Sequence, residues 1–290
     1  MGLIIYFDGR FVPEEEAKVS VFDHGLLYGD GVFEGIRAYN GRVFRLKQHI
    51  DRFFDSARAI SLEIPYSKAE VMEIVLETFR RNNLASGYDR LVITRGVGDL
   101  GLDPRKCPRP CLFNIASTIT LYPEEFYRNG LDLITVPTRR NIPEALNPRI
   151  KSLNYLNNVL AKIEANLAGV AEAIFLNEQG YVAEATADNL FIVKNGVLKT
   201  PATYCGALEG VTRNAVLELA RKRGIPAEET IITRYDIFVA DECFLTGTAA
   251  ELVPVVKVDG RIIGDGRPGP VFAQLLEDFH RLVQEDGEKI

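Results

Sequence analysis

The sequence predicts an α+β protein of two mixed α/β domains, and three observations carry that expectation. Strand-like and helix-like periodicities are interleaved without the strict alternation that builds a doubly wound parallel sheet. The 290 residues give ample material for two ordinary domains, each with its own core. The stretch "LYPEEFYRNG" at 121–130 sets a proline, charges and a glycine between strand-like runs, as a crossing between domains does. The expected division is a small domain over 1–120, a linker over 121–133 and a large domain over 134–290.

Taken in order, "IIYFDGRFVP" reads as two short strands around an Asp-Gly turn. "RLKQHIDRFFDSARAI" is a helix whose core stripe is Leu46, Ile50, Phe53, Ala57 and Ile60. A second helix, "SKAEVMEIVLETFRRNN", opens at a Ser67 cap with Glu70 three residues later, the capping-box spacing. "RLVITRG" and "CLFNIAST" are strands, as are "LDLITVPT", "EAIFLNE", "NLFIVKNG" and "ECFLTG". "TRNAVLELARKRG" is a helix whose "RKR" suits its C-terminal end, and a last helix begins near residue 270.

The stretch "KSLNYLNNVLAKIEANLAG" at 151–169 is amphipathic: Leu153, Leu156, Leu160, Ile163 and Leu167 recur at steps of three and four and predict a buried stripe. Lys151 lies off that stripe. Tyr155, four residues on, falls on roughly the side of Lys151, so an amine and a phenol are placed to converge on one small object.

Composition excludes several classes. A hydrophobic content of 47% with 26% charged residues is that of a soluble globular chain. The formal charge of −6, from 34 basic and 40 acidic residues, and the lack of a long basic block argue against nucleic acid. No run approaches the roughly 18 apolar residues of a membrane helix, and the N-terminus has no export pattern; the expected location is the cytoplasm. Cys107, Cys111, Cys205 and Cys243 form no repeated metal-ligand spacing, so reduced structural thiols and no metal are expected.

Two segments suit an anion. "GALEGVTRNAVLELA" sets Gly210, Val211 and Thr212 at a helix start, where free amides and the helix dipole favour a phosphate; Thr212 acting as a simple cap accounts for the same residues. "TGTAAE" at 246–251 is a small-residue turn after a strand, either an anion cradle or a plain surface turn. Glu184, in "YVAEATADNLFIV", is an exposed turn residue or a buried partner for a cation.

Seven stretches, "VFDHGLLYGDGVFEGIRAYNG", "HIDRFFDSA", "YDRLVITRGVGDLGLDP", "KSLNYLNN", "AEATADNLF", "GVTR" and "TGTAAE", resemble in order and spacing the fold-type IV aminotransferases. The closest resemblance is to the branched-chain amino acid aminotransferases, over residues 4–270. It implies two α/β domains with pyridoxal 5'-phosphate at their interface. Lys151 is then the Schiff-base residue and proton shuttle, Tyr155 bonds the ring hydroxylate, Glu184 pairs with the ring nitrogen and Leu208 presses on the ring face. Arg52, Val211, Thr212, Gly247 and Thr248 hold the phosphate. Substrate residues implied by position are Phe33, Gly35, Arg37, Tyr88, Arg90, Thr248 and Ala249, with Tyr28 reaching in from a neighbouring subunit.

The implied reaction is ping-pong transfer between L-branched-chain amino acids and 2-oxoglutarate, by a homodimer at least, with a hexamer of dimers as the larger assembly. Arg90 supplies the cation that a glutamate side chain needs in an otherwise hydrocarbon pocket. Relatives usually carry glycines or serine after the glutamate; Ala185, Thr186 and Ala187 depart from that and bear on cofactor tightness and substrate range. The alternatives within the same fold are a D-amino acid or amine transaminase and aminodeoxychorismate lyase.

Overall fold

The structure, a computed structural model, describes residues 2–119 and 122–290; Met1 and the expected domain boundary at Thr120 and Leu121 lie outside them. The chain forms two compact units. The first comprises Met1–Ile119, Ile150–Asn154 and Val283–Ile290, and the second Thr120–Arg149 and Tyr155–Leu282. Segment 150–154, with Lys151, and the last eight residues therefore group with the N-terminal part of the chain rather than with 134–290.

In the first unit β1 (Ile4–Phe7), β2 (Arg10–Pro13), α1 (His24–Tyr28), β3 (Gly31–Tyr39), β4 (Arg42–Val43), α2 (Leu46–Ala59), α3 (Lys68–Arg81), β5 (Gly87–Thr94) and β6 (Cys111–Ser117) follow in order. The second unit contains α4 (Glu124–Asn129), β7 (Leu131–Thr135), α5 (Leu156–Leu167), β8 (Glu172–Leu176), β9 (Val182–Ala185), β10 (Asn189–Lys194) and β11 (Val197–Pro201). It continues with α6 (Val211–Arg223), β12 (Ala227–Thr230), α7 (Arg234–Phe238), β13 (Glu242–Gly247), β14 (Glu251–Val258), β15 (Arg261–Ile262) and α8 (Pro270–Glu285). The chain ends in β16 (Glu288–Lys289), which returns to pair with β4. The stretch 121–133, expected as a linker, carries α4 and the start of β7.

The sheet of the first unit is antiparallel throughout, in the order β16-β4-β3-β5-β6-β1-β2. The apolar stripe of α2 is buried against it, with Leu46, Ile50, Phe53 and Ala57 almost fully covered, and α3 adds Val71, Val75 and Phe79 to the same core. The sheet of the second unit runs β12-β11-β10-β13-β14-β7-β8-β9, with β15 paired to β14. It is mixed: β11 with β12, β14 with β7 and β7 with β8 are parallel.

Four tight turns, Asp8-Gly9, Asn40-Gly41, Asn195-Gly196 and Asp259-Gly260, have positive φ at both residues. That backbone matches the right-handed twist of the hairpin strands they join, which is why Asx-Gly pairs occupy them.

The stripe predicted to be buried on α5 is not. Leu156, Leu160, Ile163 and Leu167 are 69%, 45%, 48% and 83% exposed. The buried face is the opposite one, Asn158, Ala161 and Ala165, and the two alanines pack with Val136, Ala173, Phe175 and Ala183. Alanines let the helix axis approach the sheet closely, so the bulkier stripe points away.

At α3 the capping box is complete: Ser67 Oγ accepts from the Glu70 amide, and Glu70 Oε2 accepts from the Ser67 amide at 2.7 Å. Ser67→Ala leaves an amide of the first turn without its partner and is expected to cost about 1 kcal/mol, measurable as a lower denaturant midpoint at unchanged m-value.

Candidate active site

The residues predicted for the site fall into two sets, one in each unit. In the first unit the set is built on β3. Alternation along the strand puts Phe33, Gly35 and Arg37 on one face and Glu34, Ile36 and Ala38 on the other. Antiparallel pairing sets Arg90 of β5 opposite Gly35 and Tyr88 opposite Arg37, so both join the first face. A Cβ on Gly35 would lie 2.0 Å from the Tyr88 hydroxyl oxygen, so only a hydrogen fits beneath that phenol. Arg90 Nη2 donates to Tyr88 Oη at 3.1 Å, and the guanidinium stands 4.7 Å from the Phe33 ring centroid. An exposed cation is thus carried on an aromatic face beside a phenol.

Lys151 enters through the backbone. Phe33 N donates to the Lys151 carbonyl at 2.9 Å, Leu153 N donates to the Gly31 carbonyl at 3.0 Å, and Ser152 bridges Val32. The short segment is therefore an extra partner along the start of β3. Lys151 N also donates to Ser56 Oγ of α2 at 3.2 Å. These bonds carry the ammonium to 4.5 Å from the Phe33 centroid.

On the helix side of β3, Glu34 is fully buried. It accepts from Arg52 Nε and Nη2, both at 2.7 Å, and from His49 Nδ1 at 2.9 Å. Burial alone raises a carboxyl pKa, but the Arg52 guanidinium and the bonds from Arg52 and His49 outweigh it and hold Glu34 at about 2. His49 is pushed below the usual imidazole range by burial, against the pull of Glu34 and with the charges of Arg52 and Lys151 adding to the effect. It is a neutral ring that donates from Nδ1, because the Glu34 carboxylate only accepts. Tyr28 is placed elsewhere: its hydroxyl donates to the Leu100 carbonyl at 2.5 Å and its ring meets His24 edge-on.

In the second unit Glu184, at the end of β9, is buried. Its Oε1 accepts from Arg140 Nη2 at 2.7 Å, and its Oε2 accepts from Leu208 N at 2.9 Å and from Asn189 Nδ2 at 3.2 Å. Of the two sequence alternatives, the buried partner of a cation holds. Arg140 is anchored in turn by Asn158 Oδ1 at 3.1 Å, which fixes it to the first turn of α5. Half-buried Tyr155 immediately precedes that turn.

The two anion-cradle candidates meet on neighbouring residues. A Cβ on Gly210 would lie 2.0 Å from Asn189 Oδ1, and one on Gly247 would lie 1.8 Å from Asp188 Oδ1. The start of α6 and the turn after β13 are thus both seated on the entry to β10, and each approach is too close for any side chain. Gly210 is the N-cap of α6, with no side-chain cap, so Thr212 does not cap the helix; Val211 and Thr212 are buried in its first turn. Thr248 and Ala249 are half-buried in the turn after Gly247. After Glu184, the Ala185 methyl is packed in the core and Ala187 is exposed.

Sequence reasoning missed Arg140, Asn189, Glu34 and His49. The last two lie inside "VFEGIR" and "HIDR", and strand alternation marks Glu34 as pointing inward beside Phe33. Arg140, in "PTRRN", carried no signal, because nothing local distinguishes it from Arg139.

The profile of the Amino-transferase class IV family matches residues 31–258. A Methanocaldococcus jannaschii protein, provisionally named a branched-chain-amino-acid aminotransferase, is 55% identical over 286 residues, covering 99% of this chain and 98% of that one. The crystal structure of the Escherichia coli branched-chain amino acid aminotransferase superposes with a TM-score of 0.96 at 37% identity, over 99% of this chain and 97% of that one. The T.th. branched-chain amino acid aminotransferase complexed with N-(5'-phosphopyridoxyl)-L-glutamate gives a TM-score of 0.92 at 40% identity, over 98% of this chain and 94% of that one.

The folded pKa of Glu34 lies below its ordinary value of 4.5, so its stabilisation is present above pH 4.5 and is lost as pH falls through about 2. Glu34→Gln removes the negative charge paired with Arg52 and is expected to cost about 3 kcal/mol at pH 7. Urea melts between pH 7 and pH 2 should show the gap between parent and variant closing in acid.

Proposed function

We propose, from the premise that this chain belongs to the Amino-transferase class IV family, that it is a pyridoxal 5'-phosphate enzyme transferring amino groups between L-leucine, L-isoleucine or L-valine and 2-oxoglutarate. The observation that carries this reading is the likeness, across 98% of the chain, to an enzyme solved with N-(5'-phosphopyridoxyl)-L-glutamate. That compound is an amino donor joined to the cofactor.

The residues present fit such a group. The uncapped first turn of α6, with Val211 and Thr212, offers amides to a phosphate. Gly247 and Thr248 add a second set, and Arg52, oriented by Glu34, adds a cation. Glu184, held by Arg140, Asn189 and Leu208 N, presents a carboxylate to a ring nitrogen. Leu208 would lie against the ring and Tyr155 would bond its hydroxyl. When bound, pyridoxal phosphate accepts the electron pair left at the substrate α carbon. Lys151 Nζ would hold the cofactor and then carry the proton to and from that carbon.

For the substrate, Phe33 and Gly35 supply an apolar wall, and Arg37, Tyr88, Thr248 and Ala249 add polar handles and small contacts. Arg90 is the cation that glutamate needs and leucine does not. Both half-reactions use this one set, the amino donor leaving as its 2-oxo acid before the acceptor binds.

Homodimer formation belongs to the same proposal. The exposed α5 stripe and the exposed Phe22, Leu26, Leu100 and Leu102 support it, as apolar surface that a second copy would cover. Tyr28 would then serve a neighbouring copy. Among the described residues no helix is long and apolar enough to cross a membrane; a cytoplasmic location is part of the proposal.

The deciding experiment is amino transfer from L-leucine to 2-oxoglutarate by the purified yellow protein. Lys151→Ala is expected to abolish it with the melting temperature retained. Turnover of D-alanine or of a chorismate-derived amine in place of L-leucine would overturn the substrate assignment. Arg90→Leu is expected to lower kcat/KM for glutamate and 2-oxoglutarate about ten- to a hundredfold, since one carboxylate loses a charged hydrogen-bond partner, while leucine is nearly unaffected. Equal losses for both would assign Arg90 a structural role.

A further inference from the structure

Asp89 lies on β5 between Tyr88 and Arg90, and strand alternation turns it to the opposite face. There it is fully buried, directly across from Ile36 of β3 and Ala116 of β6. Its polar contact is Asn114 of β6, whose Nδ2 donates to Asp89 Oδ2 at 2.6 Å and to Thr78 Oγ1 at 2.9 Å. The Thr78 hydroxyl is itself committed to the Ile74 carbonyl at 2.6 Å.

Two oxygens of this cluster are buried without a partner, and they belong to the same two side chains: Asp89 Oδ1 and Asn114 Oδ1. With Asp89 ionised both are acceptors, and neither satisfies the other. Among the described residues Arg90 is the charged group that acts on Asp89, and it does so from an exposed position on the other face of the strand. The facing residues Ile36, Ala116, Thr78 and Asn114 do not titrate. Burial pushes the Asp89 carboxyl well above the usual carboxylate range, against the Asn114 hydrogen bond and the Arg90 charge.

We propose that Asp89 is held as an un-ionised carboxylic acid donating from Oδ1 to Asn114 Oδ1, and that this acid–amide pair positions Tyr88 and Arg90 on the site face. One proton satisfies both orphaned oxygens and closes a ring of two hydrogen bonds, amide to acid and acid to amide. β5 is thereby pinned to β6 directly behind the phenol and the guanidinium. Loss of the proton removes the donor and leaves a charge in the core, relieved only by turning the strand at residue 89 and so displacing both neighbours. Asp89 touches no substrate; it is a positioning residue. Its effect on substrate recognition rests on the assignment of Arg90 as the carboxylate handle, whereas the buried proton does not.

Asp89→Asn keeps the shape and supplies a permanent donor. The folded pKa lies above the unfolded value near 4, so the parent loses stability as pH rises from about 4 to the folded value, and the variant does not. The melting temperature of Asp89→Asn is therefore expected to exceed that of the parent by a margin that widens between pH 4 and pH 8. A carboxylic-acid C=O infrared band present in the parent at pH 7 should be missing from the variant. For the positioning role, Asp89→Leu is expected to raise KM for glutamate about tenfold and KM for leucine, which uses Tyr88 but not Arg90, by a smaller factor with kcat little changed, while Asp89→Asn keeps the glutamate KM of the parent. Absence of the acid band, or a variant Asp89→Asn less stable than the parent at every pH, would overturn the neutral pair. An intact band with a glutamate KM insensitive to Asp89→Leu would overturn the positioning role. An intact band in a protein that does not accept glutamate would instead tell against the Arg90 assignment.

Discussion

The alternation of side chains along β3 is the constraint on which the first unit depends. A strand has two faces and a period of two, so Phe33, Gly35 and Arg37 must point one way and Glu34 and Ile36 the other. Pairing with β5 extends the first face to Tyr88 and Arg90, and the backbone of 150–154 brings Lys151 to its start. The opposite face receives α2, and there Glu34 fixes Arg52 and His49. Strand register therefore decides at once which groups share the face of Arg90 and Tyr88 and which brace the cations behind it. Slipping the register by one residue would exchange the two sets.

The second unit solves a different problem, that of bringing backbone amides together. The start of α6 carries the cation Arg213, which is committed to Glu229 at 2.6 Å, and the turn after β13 carries no charged side chain. Both are drawn to the entry of β10 because Gly210 and Gly247 admit the side chains of Asn189 and Asp188. Asn189 serves twice, since its amide also donates to Glu184 Oε2 and to the Leu208 carbonyl at 2.9 Å. Asp188 is raised to about 7 by burial and by the nearby Glu172 carboxylate, against the hydrogen bond from Tyr122. Glu184, Asn189 and the backbone of Leu208 thus form one hydrogen-bonded cluster at the approach to α6, and the turn after β13 is seated on the adjacent Asp188.

Where buried carboxyls are paired, the pairing differs in kind from one to another. Glu34 and Glu184 are buried beside arginines and accept from several donors each. Asp89 has an amide for company, and there burial outweighs the Asn114 hydrogen bond and the Arg90 charge. Burial acts on both carboxyls, and their pKa values move in opposite directions because Glu34 is bonded to a guanidinium and Asp89 to an amide.

Much of this was legible in the sequence, because it is local. The Asp8-Gly9 turn, the Ser67 capping box, the α2 stripe and the limits of α6 each follow from side chains within a few residues of one another. The motif residues Lys151, Glu184, Gly247 and Arg90 were recognisable from their order along the chain. What only the tertiary structure decided is what lies across a sheet or against a helix. Periodicity found the α5 stripe but assigned it to the core, since hydrophobicity alone cannot tell a face covered by the same chain from one left outside; the close approach to β8 requires Ala161 and Ala165 instead. The pairing of Arg140 with Glu184, 44 residues apart, and of Asp89 with Asn114, 25 residues apart, leaves no mark in local pattern. Such contacts are set by strand order and register, which depend on the whole sheet and not on any one segment of it.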